Sequence, residues 1–375
     1  MSVLAGVERC VLLHEGGEAR IYKVFSGSRA YALKWYAEGA RIDAGVMECL
    51  CREKFAGVYR VLETGTKAGR PYLVYDYVEG VPLAGAGALP VPFALAVARS
   101  LAQSLAELEK HGIHHGDLNP SNVLLDAEGN PTLIDCGIVG PGALPYAAPE
   151  RFQGRAAGTK SDIYSVGLLL YRMVAGEDLL ECARYEDYAR AASQIESMEP
   201  TSTLYGKGVD AQALSALEPL WKATLRANPD DRAEDFEELD ELLEIAFDRT
   251  SGGSVAWNSL REGVLAPLAE KIGTISVEGA AVCGLPSEFV VRKDTGRRRV
   301  ALCAGVFGAI LVLLFVLFLA LSPREPSIDE TGAQMLQNSR SLDVDGVSPD
   351  TVDEGISGKV LESLPMPGAA DGNVE

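Results

Sequence analysis

Apolar positions recur at short spacing early in the chain and at longer spacing later. Between Arg9 and Val24 two strand-like runs flank Gly16-Gly17, the pattern of a hairpin. Ala30 to Tyr36 alternates. Tyr31, Leu33 and Trp35 fall on one face of a strand, Ala32 and Lys34 on the other. A helical stretch containing Glu48 follows, then two further strand-like runs, Val58–Leu62 and Pro71–Val78. Gly80 to Pro92 is rich in Gly, Ala and Pro and reads as a connector between two lobes. From there the spacing suits helices. Phe93 to Lys110 predicts an Ala- and Leu-rich helix ended by Gly112. Ser161 to Tyr171 predicts a core helix with Asp162 at its start, and Glu234 to Phe247 an acidic helix with a solvated face.

The longest apolar run changes the picture. Val300 to Leu321 holds no charge and no strongly polar group over 22 residues. About 20 helical residues cross a bilayer core, so this run predicts a transmembrane helix. Arg292, Lys293, Arg297, Arg298 and Arg299 crowd its N-terminal flank, and only Arg324 lies close beyond it. The positive-inside rule then leaves residues 1–299 in the cytoplasm and 322–375 outside. Met1 to Arg20 has no long apolar run, which predicts no signal peptide. The tail from Ser322 carries eleven acidic residues against three basic ones and no Cys, Trp, Tyr or Phe, a composition that predicts disorder. Residues 248–299 are punctuated by Gly and Ser and read as a juxtamembrane linker, with one helical patch near Trp257 to Ile272.

Composition narrows the function classes. With 47% hydrophobic residues in 375, a sizeable core can form. The net charge of −19, with no Lys/Arg-rich run in the globular part, argues against a nucleic-acid partner. Seven cysteines are scattered without a metal-binding spacing, beside only four histidines, so reduced cytosolic thiols are expected.

The candidate chemistry lies in His115-Gly116-Asp117-Leu118-Asn119-Pro120-Ser121-Asn122, followed thirteen residues later by Asp135-Cys136-Gly137. Two carboxylates and an amide at this spacing suit phosphoryl transfer from a metal-bound nucleotide. Several other motifs stand around them in a fixed order: Ala32-Leu33-Lys34, Val74 to Gly80, Gly142 to Pro149-Glu150, Ser161-Asp162 to Gly167, and Asn228 to Arg232. With these in order, residues 8–247 resemble the eukaryotic-like (Hanks-type) protein serine/threonine kinase family. The resemblance implies an α+β, two-lobed protein kinase-like fold, with an N-lobe of about 8–76 and a C-lobe of about 80–247. In this chain a single transmembrane helix would follow.

The resemblance also implies roles. Asp117 would accept or orient the proton of the attacking hydroxyl, and Asn122 and Asp135 would hold Mg²⁺. Lys34 would contact the ATP phosphates, oriented by a helix glutamate, Glu48, with Glu53 as the alternative. The backbone groups of Asp76 and Val78 would bond the adenine edge, with Tyr75 as gatekeeper. Ile21, Ala32 and Leu124 would sandwich the ring. Gly16 is the one glycine of the family's Gly-rich loop that this chain keeps; His14 and Ala19 occupy the other two positions. Gly116 stands where many members carry an arginine, Asn119 where a lysine is usual, Cys136 for a phenylalanine and Ala143 for a threonine. His115, Asp162 and the pair Glu150–Arg232 would be structural. The expected function is a membrane-anchored kinase that moves the γ-phosphate of ATP to Ser/Thr hydroxyls of cytoplasmic proteins. Two other readings stay open: a pseudokinase that binds nucleotide or scaffolds at the membrane, and a small-molecule kinase of the same superfamily, which also writes His-Gly-Asp.

Overall fold

The strand that carries Lys34 sits in the middle of an antiparallel sheet. The computed structural model describes residues 2–137, 143–182, 184–277, 282–283 and 285–289. It opens with β1 (Arg9–Glu15), β2 (Ala19–Ser26), β3 (Arg29–Tyr36), α1 (Ala44–Arg52), β4 (Val61–Lys67) and β5 (Arg70–Asp76). These strands order as β4-β5-β3-β2-β1. The alternation of β3 sorts its side chains by face. Leu33 and Trp35 enter an outer core with Tyr22, Val24, Tyr72 and Val74; Ala32 and Tyr36 enter the main core. Lys34 shares the second face by the strand's period of two. Helix α1 starts where Asp43 accepts the N–H groups of Gly45 (2.9 Å) and Val46 (3.0 Å), an N-cap.

The second lobe contains β6 (Val81–Pro82), α2 (Val91–Glu109), β7 (Val123–Leu125), β8 (Pro131–Leu133), α3 (Pro149–Phe152), α4 (Thr159–Ala175), α5 (Tyr185–Ser193), α6 (Pro200–Gly206), α7 (Ala211–Thr224) and α8 (Phe236–Thr250). The three short strands form a separate antiparallel sheet beneath the cleft. Helix α4 is buried on all sides from Ser161 to Tyr171, and Ile163, Tyr164, Val166, Leu168, Leu169 and Leu170 fill that stretch. A helix of that kind has to be interior, and it forms the centre of the lobe. The acidic face of α8 is only partly solvated: Asp240 meets Arg99 of α2 at 3.0 Å.

Beyond α8 the sequence suggests a linker, but the described part of 248–299 is built into the body. Helix α9 (Ser254–Val277) packs along the second lobe. Trp257 meets Phe247 edge-on at 5.0 Å, Leu268 is buried, and Lys271 reaches the carbonyl of Gly85 at 2.8 Å. Then β9 (Val282–Cys283) pairs antiparallel with β1 as a sixth strand. Phe289, 3% exposed, stands edge-on between Trp35 (5.3 Å) and Tyr72 (5.1 Å). The physical reason is plain on both counts. Without β9, β1 would be a bare sheet edge, and without Phe289 two large aromatics of the outer core would lack their cover. Phe289→Ala is expected to cost about 1.5–3 kcal/mol, the burial worth of one phenylalanine, because the segment can lift away instead of leaving a closed cavity. Thermal denaturation should read this as a fall in Tm of roughly 3–12 °C. An unchanged Tm would mean the segment contributes nothing to stability.

Among the described residues no helix is long and apolar enough to cross a membrane. The run 300–321, its basic flank and the tail 322–375 lie outside the described residues, as do residues 138–142.

Candidate active site

The loop from His115 to Asn122 is braced by a buried carboxylate. Asp162, in the first turn of α4, accepts the backbone N–H of His115 (2.8 Å) and of Gly116 (3.0 Å). The His115 ring is buried, with Nε2 2.9 Å from the Ile134 carbonyl and Nδ1 accepting the N–H of Asp117 at 3.3 Å. Gly116 has a φ of +74°, and a Cβ there would stand 2.8 Å from that of Ala157. An arginine at this position would have neither the backbone conformation nor the room. Asn119 serves the loop itself. Its Oδ1 accepts from Ser121 N–H (2.9 Å), and its Nδ2 donates to the Asp117 carbonyl (3.0 Å).

Both oxygens of Asp117 are engaged. Oδ2 accepts from Asn122 Nδ2 at 3.0 Å, and Oδ1 from the backbone N–H of Ala143 at 2.6 Å. The second bond was not legible in the sequence. Where the family usually places a threonine hydroxyl, this chain offers a main-chain donor, and any residue but proline would have supplied it. Burial pushes the Asp117 carboxyl above its ordinary value of 3.8. His115 and the Ala143 and Asn122 donors oppose that rise, while nearby Asp135 adds to it.

Asp135 follows β8 with a φ of +63°, a conformation that costs a non-glycine residue on the order of 1 kcal/mol. Its Oδ2 pairs with Lys34 Nζ. Its Oδ1 is buried with no hydrogen-bond partner. Asn122 spends its amide nitrogen twice on Asp117, on the carbonyl (2.9 Å) and on Oδ2, which leaves its own carbonyl oxygen as the acceptor it can offer. A lone buried carboxylate oxygen and an oriented amide oxygen are hard donors that fit a divalent cation, which typically completes its coordination with waters and phosphates. Asp135 and Asn122 would hold it. Cys136, fully buried in the main core, is a packing residue.

The expected pairing of Lys34 with Glu48 does not form. Helix α1 turns Met47 and Leu50 inward, and a Cβ on Gly137 would stand 2.7 Å from Val46 and 2.9 Å from Met47. The side of α1 nearest Asp135-Cys136-Gly137 is therefore apolar. Glu48 lies about 100° further round the helix and is exposed. Glu53, the alternative, is also exposed and meets Arg52 at 3.4 Å. The carboxylate at Lys34 is Asp135.

The remaining predicted positions line the lobes around this group. Ala32 is buried in the main core, and Leu124 packs half-buried against that core from the second lobe; Ile21 stands half-buried on β2, opposite Lys34 on β3. Gly16 is exposed at the β1–β2 turn, where its N–H closes on the Ala19 carbonyl at 3.0 Å. Asp76 has given its N–H to the Arg60 carbonyl (3.2 Å), so its carbonyl is what it can offer an adenine edge. Val78 lies outside the strands. Tyr75 is buried edge-on to Tyr59 at 5.1 Å. Under the segment that ends at Glu150, Arg232 closes a bidentate pair with that carboxylate, at 2.7 and 2.8 Å.

Known proteins resemble this chain. The serine/threonine-protein kinase RqkA of Deinococcus radiodurans, described as DNA damage-responsive, is 34% identical over 204 residues, which are 47% of this chain and 30% of RqkA. PksC of Streptomyces coelicolor, a serine/threonine-protein kinase, is 26% identical over 273 residues, 63% of this chain and 48% of PksC. The chain thus spans less than half the length of either relative. The crystal structure of the Mycobacterium tuberculosis PknI kinase domain superposes with a TM-score of 0.50 at 22% identity, covering 66% of this chain and 100% of that one, which speaks for the fold alone. The family model for the protein kinase domain matches residues 11–244. With that match running across both lobes and over more than half its length, the chain belongs to the protein kinase domain family.

Proposed function

We propose that this protein is an ATP-dependent serine/threonine protein kinase, with its kinase domain at 8–247 facing the cytoplasm and a membrane anchor at 300–321. The observation that carries the reading is the convergence of Lys34, Asp117, Asn122 and Asp135, which come from both lobes onto one site. Asp117 is hydrogen-bonded on both oxygens, so its position is fixed before any substrate arrives. It orients the acceptor hydroxyl and takes its proton. Lys34 would leave Asp135 for the phosphates, and Asp135 and Asn122 would hold Mg²⁺, whose chemistry when bound would be to neutralise charge on the transferring group. Asn119 brings no cation to the acceptor side, and Lys34 supplies positive charge from the other lobe. The uncharged run 300–321 and the basic residues before it support the anchor and its orientation.

One preparation tests the reading. Membranes from cells expressing the full chain, washed at alkaline pH, are given labelled ATP, Mg²⁺ and a generic Ser/Thr-containing protein. Label is expected on serine and threonine, in the membrane fraction, and is expected to vanish when EDTA removes the metal. An ATP-dependent rise in Tm without transfer would replace the kinase reading with a nucleotide-binding module. Transfer that remains in the soluble fraction would overturn the anchor.

A further inference from the structure

Lys34 has to leave Asp135 if it is to reach the phosphates, and the partner that a helix glutamate would offer is missing. Helix α1 offers Val46 and Met47 on that side, and both nearby glutamates face solvent. One group remains. Tyr36 lies two residues along β3, on the same face as Lys34, and its ring centroid is 5.0 Å from Lys34 Nζ. Tyr36 is 4% exposed and firmly held. Its ring belongs to the main core, its carbonyl accepts Arg70 Nε at 2.7 Å, and it pairs across the strands with Ala19. Its hydroxyl is buried near the Asp135 carboxylate. Burial, and after it the Asp135 carboxylate, keep the phenol protonated, so the ring presents a neutral face.

We propose that Tyr36 is a positioning residue for Lys34, its ring face carrying the ammonium when Asp135 turns to the cation, in the role that a helix carboxylate would otherwise fill. The inference rests on the kinase reading above. A cation over an aromatic ring is attracted by the ring's quadrupole, and the attraction grows when both are withdrawn from water. A platform on the same strand as the lysine also moves with it. The orientation of Lys34 is then independent of where α1 sits, and α1 carries no switch for this site.

The test is a set of substitutions in the full chain, read as KM for ATP and kcat separately. Tyr36→Leu removes the ring, and about a 3- to 30-fold rise in KM for ATP is expected, with a smaller change in kcat. Tyr36→Phe keeps the ring and is expected to recover most of that loss. Glu48→Gln should leave both constants unchanged. Thermal denaturation of each variant identifies any that does not fold, and ATP affinity measured by calorimetry on Tyr36→Phe and Tyr36→Trp keeps the question open to refutation if Tyr36→Leu is unfolded. A Tyr36→Leu protein with wild-type KM, a Tyr36→Phe protein as impaired as the leucine variant, or a Glu48→Gln protein with raised KM would each overturn the proposal. Calorimetry showing ATP affinity lost equally in the phenylalanine and tryptophan variants would do the same. If the wild-type chain transfers no phosphate, the failure belongs to the kinase reading instead.

Discussion

Replacing Asp117 by asparagine is expected to cut phosphate transfer by about 10²- to 10⁴-fold, the range that a positioned general base contributes. ATP affinity should change little, because Lys34 and Asp135 pair with each other and not with Asp117. The local structure limits the damage to chemistry. Asp117 Oδ1 and Oδ2 each accept one hydrogen bond, from Ala143 N–H and from Asn122 Nδ2. An asparagine keeps one acceptor and sets an NH₂ group against the other donor, which loosens the loop without emptying the core. The pH profile gives a second, independent reading. The active form is the carboxylate, so the rate falls as pH drops through the Asp117 pKa. Burial raises that pKa, which moves the acid limb of kcat/KM above the ordinary 3.8, and the limb should disappear in the residual activity of the variant. Transfer within tenfold of wild type would remove Asp117 from the mechanism.

How much of this could be read in advance differs from residue to residue. The two faces of β3 were legible because strand periodicity alone separates Leu33 and Trp35 from Ala32 and Lys34. Asp117, Asn122 and Asp135 stood out because the order of the motifs around them resembles the protein kinase family, which implies loops of one cleft. The fate of Glu48 was not, since the rotation of α1 is decided by what it packs on. Met47 and Leu50, three apart, were the available signal that the inward stripe of this helix is apolar. The bond from Ala143 to Asp117 was hidden for another reason: every residue except proline carries a backbone N–H, so no residue type announces it. The segment beyond α8 misled because Gly and Ser mark turns as readily as linkers. Its partners, β1, Trp35 and Tyr72, lie more than two hundred residues away in sequence, where no local pattern reaches.

The largest expected effect on stability comes from Arg232→Ala. The Arg232 side chain is 0% exposed, and all five of its N–H groups are used. Two go to Glu150, one to the Lys160 carbonyl at 2.7 Å, one to Ala227 at 3.3 Å, and Nε to Arg226 at 2.9 Å. Such a pair is not strongly stabilising by itself, because two charges had to leave water to form it. Breaking it is another matter. Alanine would leave the buried Glu150 carboxylate uncompensated and the Arg226 and Ala227 carbonyls without this donor, at a cost of about 3–5 kcal/mol. A fall in Tm of roughly 6–20 °C is expected, against a total stability on the order of 5–15 kcal/mol for a typical domain. Arg232→Lys keeps the charge but has three donors in place of a planar fork, so an intermediate Tm is expected. A Glu150→Leu/Arg232→Met double variant, which leaves no orphaned charge, should be more stable than Arg232→Ala alone. The consequence reaches the chemistry through the chain. Glu150 sits in α3, a few residues beyond Ala143, whose N–H holds Asp117 Oδ1. Below its unfolding temperature Arg232→Ala should therefore also lower kcat, with KM for ATP little changed. An Arg232→Ala protein with wild-type Tm would show that Glu150 finds water when its partner is removed, and that the pair only records the fold without holding it.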